Sequence, residues 1–253
     1  MKRLAPVAFG KLAGKKRSPA SNWQLGIILS FIAGYINAGG YLIVRHYTSH
    51  MTGVLSDAAE GFASGDLVLA LSMLGFLLCF VFGAALTTVL IRLAKRRSIH
   101  AQFSLPLILE AMLILAVGVL MAGLSGSPVL TSLMIAVLCF LMGLQNALIT
   151  KASTAVVRTT HVTGMTTDLG IEIGRLLVPG DGERVGLPLT RIVLFSIVIA
   201  AFLVGGVSGA MIVRQLEAPG LLPVSALLLL IAAPPVWRDI SSAMRRSRRG
   251  ARP

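Results

Sequence analysis

The chain has 253 residues, of which 55% are hydrophobic and only 13% are charged, and its mean hydropathy is +0.84. Soluble domains carry about 25% charged residues, so an ordinary soluble domain is excluded and an integral membrane protein is expected. The formal net charge of +13 does not point to nucleic acid, because the excess is terminal. Lys2, Arg3, Lys11, Lys15, Lys16 and Arg17 precede the first apolar run, and six arginines follow residue 237. Such tails fit the cytoplasmic side of a bilayer. Cys79 and Cys139 lie inside apolar runs and read as small hydrophobes, not as a disulfide or metal pair.

A spanning helix needs about 20 mainly apolar residues. Six segments qualify: 23–44, 67–92, 103–124, 128–150, 190–214 and 219–237. The first is too long for the apolar core of a secretory signal and lacks a cleavage pattern, so it reads as a retained span. The last is expected to stop at Pro234-Pro235. Placing the N-terminal tail inside also puts the loops at 92–102 and 151–189 and the C-terminal tail inside. Only Arg45 and Arg214 then fall outside. Both termini are therefore expected to be cytoplasmic.

The connections at 45–66 and 151–189 each carry one copy of a polar hexapeptide, "TSHMTG" (48–53) and "TTHVTG" (159–164). Each copy is followed at the same distance by an Asp, Asp57 or Asp168, within a helix-compatible stretch. Thr52 or Thr163 is the expected cap of each short helix. Gly170 and Gly174 form a small-residue stripe suited to close packing. Further matches extend the repeat. "GYINA" (34–38) pairs with "GLQNA" (143–147), "FVFG" (80–83) with "FLVG" (202–205), and "LP" at 105–106 with "LP" at 222–223.

The expected fold is all-α, with six transmembrane helices arranged as two three-helix repeats. A basic tail covers 1–22, the first repeat 23–124, the second 128–237, and another basic tail 238–253. Three spans per half is an odd number, so the halves are expected to be inverted in the membrane. That architecture is associated with secondary transporters whose sites lie near the midplane on broken helices.

With these paired motifs the chain resembles the YoaK family of bacterial integral membrane proteins over about residues 23–237. It looks most like the branch with His before the x-Thr-Gly in both halves. The resemblance implies a six-helix protein of the inner membrane that exports small metabolites. Where many members carry Asn after the first Thr-Gly, this chain has Val54, so no role of that Asn carries over.

The candidate substrate- or ion-binding residues follow from the repeat. His50 and His161 are of the residue type suited to proton coupling, although a repeated fold also duplicates structural anchors. Thr52-Gly53 and Thr163-Gly164 read as helix-start or helix-break devices. If both dip to midplane, their helix N-termini favour an anion; the bland alternative is an interfacial amphipathic helix. Asp57 and Asp168 repeat, and carboxylates at membrane depth usually mark ion paths. Glu110, alone in "SLPLILEAMLIL", reads equally as a proton carrier or a bundle hydrogen-bonding group. Asn37 and Asn146 stand just before each motif and read as structural anchors or polar lining.

No metal is expected, since four His without HExxH or CxxC spacing form a poor ligand set. No cofactor signature and no nucleophile elbow is present in the sequence. The function expected is a secondary transporter or exporter of a small polar or anionic metabolite, with protons as the coupling ion and a site where the two His-x-Thr-Gly motifs converge. Expected partners are the lipid bilayer, the small-molecule substrate and, compatibly, further copies of the chain, but not nucleic acid. An intramembrane His/Asp enzyme and a non-transporting scaffold or sensor are the alternatives. An enzyme is disfavoured by the lack of a reactive nucleophile or metal set in the repeats.

Overall fold

The structure is a computed structural model that describes residue 13 and residues 19–123, 127–153, 159–178 and 186–250. It is all-helical among those residues. In chain order the helices are α1 (Pro19–Val44), α2 (Met51–Ser64), α3 (Leu67–Arg96), α4 (Ser104–Gly123), α5 (Pro128–Ala152), α6 (Val162–Leu177), α7 (Gly186–Leu216) and α8 (Leu222–Gly250). A 3-10 turn, Ala218–Leu221, joins α7 to α8. Six helices (α1, α3, α4, α5, α7 and α8) are long and apolar enough to cross a membrane. They match the six expected segments within a few residues, except at the last. There α8 runs on through Pro234 and Pro235 instead of stopping. A proline pair removes two N–H donors, yet buried helices tolerate this when neighbours and local adjustment satisfy the freed carbonyls.

Burial ranks the spans. The α5 span is 61% buried and α1 56%, whereas α3 is 22% and α7 28% buried. Thus α1 and α5 form the centre, and α3 and α7 flank it. Leu71, Leu78, Phe82 and Val89 on α3 are exposed, as are Leu203, Val207 and Met211 on α7. In a chain with six candidate spans these apolar faces meet lipid.

The tightest contacts are between backbones. The sequence Phe-x-x-Gly occurs on four spans: Phe31–Gly34 on α1, Phe80–Gly83 on α3, Phe140–Gly143 on α5 and Phe202–Gly205 on α7. A Cβ built at Gly34 would overlap the Phe202 carbonyl, and one at Gly205 the Phe31 carbonyl. The same reciprocity links Gly83 with Phe140 and Gly143 with Phe80. So α1 crosses α7, and α3 crosses α5, each at a pair of glycines whose Cα atoms lie against the partner's peptide oxygens. Close approach of this kind is how apolar helices associate in lipid, where no hydrophobic force acts between them. The Cα–H···O contacts that it permits add about 0.5–1 kcal/mol each. The Thr87 hydroxyl donates to the Leu144 carbonyl at 3.0 Å beside the α3–α5 crossing.

Helix directions follow from these contacts. Gly34 meets Phe202 while Gly39 meets Gly209 and Val213, so α1 and α7 run parallel. Gly83 meets Phe140, and Thr87 bonds Leu144, so α3 and α5 also run parallel. In contrast α4 and α8 are antiparallel: Gly118 meets Leu222, and the Ser225 hydroxyl donates to the Ala111 carbonyl at 2.8 Å. All three orientations fit spans that alternate in direction along the chain. The core joins these pairs through Leu25, Ile32, Leu107, Ile114, Leu138 and Leu228, among others.

Adding a methyl at a crossing glycine forces a carbonyl of the partner helix away. Gly143→Ala or Gly205→Ala should therefore cost about 1–3 kcal/mol, read as a lower unfolding midpoint in detergent. Gly75→Ala is the control, because nothing lies within 4 Å of its built Cβ; it should leave the midpoint unchanged or slightly raised.

Candidate functional site

Each hexapeptide makes the turn between a central span and a short helix. The first follows α1 and leads into α2; the second follows α5 and leads into α6. The N-cap residues are His50 and His161, not the expected threonines. The His50 carbonyl accepts from Val54 N at 3.1 Å, and the His161 carbonyl from Met165 N at 3.0 Å. Neither imidazole makes a cap hydrogen bond. Instead each ring lies across the first turn, over the glycine three residues on. A Cβ at Gly53 would overlap the His50 ring, and one at Gly164 the His161 ring. The glycine of His-x-Thr-Gly is thus the seat of the histidine ring. Thr52 and Thr163 are exposed, one position before the glycine, and their carbonyls accept from Ser56 and Thr167 hydroxyls.

The two asparagines hold these turns in place. Asn37 Oδ1 accepts from the Ser49 hydroxyl at 2.8 Å. Asn146 Oδ1 accepts from the Thr160 hydroxyl at 2.8 Å, while its Nδ2 donates to the Met142 carbonyl. Ser49 and Thr160 are equivalent positions of the hexapeptides. The anchoring reading of Asn37 and Asn146 is therefore the one with partners. Thr48 and Thr159 begin the hexapeptides and are buried at both copies, with neither hydroxyl oxygen partnered.

The two motifs lie on opposite sides of the glycine crossings. α1 and α5 run in opposite directions, and Gly40 of α1 touches Leu138 of α5, which sets the two crossings at one level. Each hexapeptide folds back along its own span: Ser49 reaches Asn37, three residues past Gly34, and Thr160 reaches Asn146, three residues past Gly143, so each motif lies only about one turn, ~5 Å, beyond its crossing along the helix axis. α2 packs chiefly on α3, with Gly61 against the Ala70 and Asp66 backbone, and α6 packs on α7. The short helices thus start beside the inner part of the bundle, with the His46 ring against Phe76 of α3, and run outward from there.

At the α1–α2 end, a cleft of about 260 Å³ is lined by Tyr41, Arg45, His46, Tyr47, His50, Gly53, Val54 and Asp57. Arg45 turns the chain with φ +55°, a costly conformation outside glycine. The Tyr41 and Tyr47 rings stack with centroids 4.3 Å apart and form one wall. His46 is half-buried, with its ring tilted against Phe76 at 5.8 Å and its Nε2 buried without a partner. Burial lowers the His46 pKa below its ordinary 6.5; Asp57 opposes the shift and His50 adds to it. Asp57 is partly buried in the cleft, whereas Glu60, Asp168, His50 and His161 are exposed. Val54 is buried and packs into the core, where the resemblance has Asn.

At the α5–α6 end the chemistry differs. Glu172 is buried and accepts from Arg191 of α7 at 2.7 Å and from Arg175 at 3.3 Å. Counting from the hexapeptides, its equivalent on α2 is Gly61, so one hinge is closed by an ion pair and the other by bare backbone. Gly170 and Gly174 have nothing within 4 Å of a built Cβ, so among the described residues their stripe packs on no other part of the chain. Arg158 lies outside the described residues. His100 pairs with Asp239 of α8 at 3.0 Å, tying the α3–α4 loop to the end of the last helix.

Glu110 belongs to neither end. It is fully buried on α4 and accepts from Gln145 Nε2 of α5 at 2.8 Å. The pairing is hidden in the sequence because Gln145 lies 35 residues away and its counterpart in the first half is Ile36. Among the described residues no three His, Cys, Asp or Glu side chains come together to hold a metal ion.

A bundle of six candidate spans with polar, histidine-capped turns at both ends defines the class as a multi-pass membrane protein. The family model described as "Protein of unknown function (DUF1275)" matches residues 25–233, and the chain belongs to that family. No curated protein and no solved structure matches the chain.

The neutral form of His46 is the one that the fold buries, so the unfolded chain binds its proton first. Stability should be full above about pH 6.5, the ordinary value, and should fall as pH drops toward the lowered folded-state pKa. Thermal midpoints in detergent between pH 8 and pH 5 check this, and His46→Phe should flatten the acid limb of the profile.

Proposed function

We propose that the protein is a carrier for a small polar or anionic metabolite, working by alternate exposure of its two faces, and not an enzyme. The observation that carries this reading is that the two His-capped, Asn-anchored turns fold back toward the glycine crossings from opposite sides of one bundle. The two glycine crossings pair the first span of each half with the second span of the other, in the manner of halves related by a two-fold axis in the membrane plane. Inverted repeats of this kind support rocking of one helix set against another. The finer resemblance to the YoaK family, with export from the inner membrane and cytoplasmic termini, belongs to this proposal and is supported by the basic tails and the positive-inside count.

In this reading each motif opens a vestibule that leads toward the level of the crossings. The first is the cleft around His46, His50 and Asp57. Arg45 and the two imidazoles favour an anionic group, and the stacked tyrosines offer an amphipathic wall. A volume of about 260 Å³ lies just below the range of drug-sized pockets, which fits a metabolite of a few heavy atoms. The second vestibule is the His161 turn, where Asp168 is exposed and Glu172 is tied to Arg191. Lipid is the surrounding partner, and association with further copies of the chain is compatible with the exposed faces of α3 and α7.

Purified protein in proteoliposomes, loaded with a pH gradient and offered a panel of radiolabelled small organic acids, should show saturable uptake of one class. His50→Ala should raise the half-saturation concentration several-fold from one face only, and His161→Ala from the other face only. Wild-type uptake from both faces in the double variant would end the two-vestibule reading.

A further inference from the structure

The most isolated polar group in the bundle is the pair formed by Glu110 and Gln145. Both side chains are fully buried. Gln145 stands two residues past Gly143, hence within a turn of the α3–α5 crossing. One hydrogen bond joins them, from Gln145 Nε2 to Glu110 Oε1 at 2.8 Å. Two oxygen atoms are left without a partner: Glu110 Oε2 and Gln145 Oε1. They belong to the same two planar groups.

An ionised Glu110 would leave a charged oxygen unbonded in a fully buried place, where charge is poorly tolerated. Among the described residues no ion pair reaches it. From α8 the nearby polar side chain is Ser225, which is committed to the Ala111 carbonyl. On α3 the cations Arg92, Lys95 and Arg96 cluster in the last turns. On α5 the one cation is Lys151, in its last turn. Glu217, which caps the 3-10 turn, is exposed.

A single proton removes the problem. Placed on Oε2, it donates to Gln145 Oε1, and both orphan oxygens are satisfied in one ring of two hydrogen bonds, acid to amide and amide to acid. We propose that Glu110 is a proton-binding site, held protonated in this conformation as an acid–amide pair with Gln145. The pair spans the α4–α5 contact, so separating those helices would strip the acid of its partner and free the proton. That this proton is carried between the two faces rests on the carrier reading; that it is held does not.

The test is infrared spectroscopy of the full chain in lipid at pH 7. A protonated-carboxyl C=O band is expected, lost in Glu110→Gln and moved to higher frequency in Gln145→Leu, where the acid loses its acceptor. Glu110→Gln should keep the wild-type unfolding midpoint, because a second amide can make the same two bonds. A wild-type spectrum without the band, or a band unmoved by both variants, overturns the proposal. If Glu110→Gln proves unstable, the Gln145→Leu shift still decides it. Should the band behave as expected while Glu110→Gln keeps a pH-gradient-driven uptake equal to wild type, the carrying role is overturned and the protonated pair stands. Absence of any uptake by the wild type would count against the carrier reading alone.

Discussion

The structure depends on four glycines that let helix backbones touch. In lipid, apolar side chains gain nothing by leaving their surroundings for one another, so packing must come from closeness. Here closeness is achieved twice by the same device, with Phe-x-x-Gly facing Phe-x-x-Gly and each glycine set against the other's phenylalanine carbonyl. Because α1 is clasped by α7 and α5 by α3, each central helix is held by a helix from the other half of the chain. The halves therefore cannot be separate units. The positions of both hexapeptides then follow, since each begins where a clasped central helix ends.

On this regular frame the departures from regularity carry the chemistry. Equivalent hinge positions hold Gly61 at one end and the Glu172–Arg191 pair at the other. The two ends are therefore built with different chemistry at the same position. The first motif's cleft is lined by Arg45, His46 and Asp57, and position 157, matching His46, is a valine in the sequence. At the middle, Glu110 and Gln145 have no counterparts. A carrier must bind and release at two faces that see different conditions, and these differences supply distinct surroundings within one scaffold.

Much of the fold is legible in the amino-acid sequence. Twenty-residue apolar runs fix spans almost by length alone, and a Thr-Gly break after such a run announces a new helix. Depth in the membrane is not legible in the same way. Alignment of "TSHMTG" with "TTHVTG" establishes equivalence, but equivalent points of inverted halves sit on opposite faces unless the segments reach the axis. How near they come depends on the fold-back bonds from Ser49 to Asn37 and from Thr160 to Asn146, which no motif encodes. The caps differ from expectation for a local reason: the imidazole needs the space above Gly53 or Gly164, which moves the helix start back to the histidine. Partners of buried polar groups are illegible because they are distant in sequence, as with Asn37 and Ser49 or Glu110 and Gln145. The stop expected at Pro234-Pro235 applies a rule for helices in water to one whose neighbours can take up the freed carbonyls.

The placement of the motifs turns on one distance, because two copies of one motif, built alike, fold back toward the crossings of an interlocked bundle from opposite sides. Spin labels at His50→Cys and His161→Cys, with Cys79 and Cys139 replaced by alanine, measure it directly by double electron–electron resonance in lipid nanodiscs. The distance distribution is expected to centre well below the ~30 Å thickness of the hydrocarbon core, because each motif is bonded to an asparagine one turn from its crossing. A dominant population at or beyond about 30 Å, which would set the motifs at the two membrane surfaces, would contradict that placement.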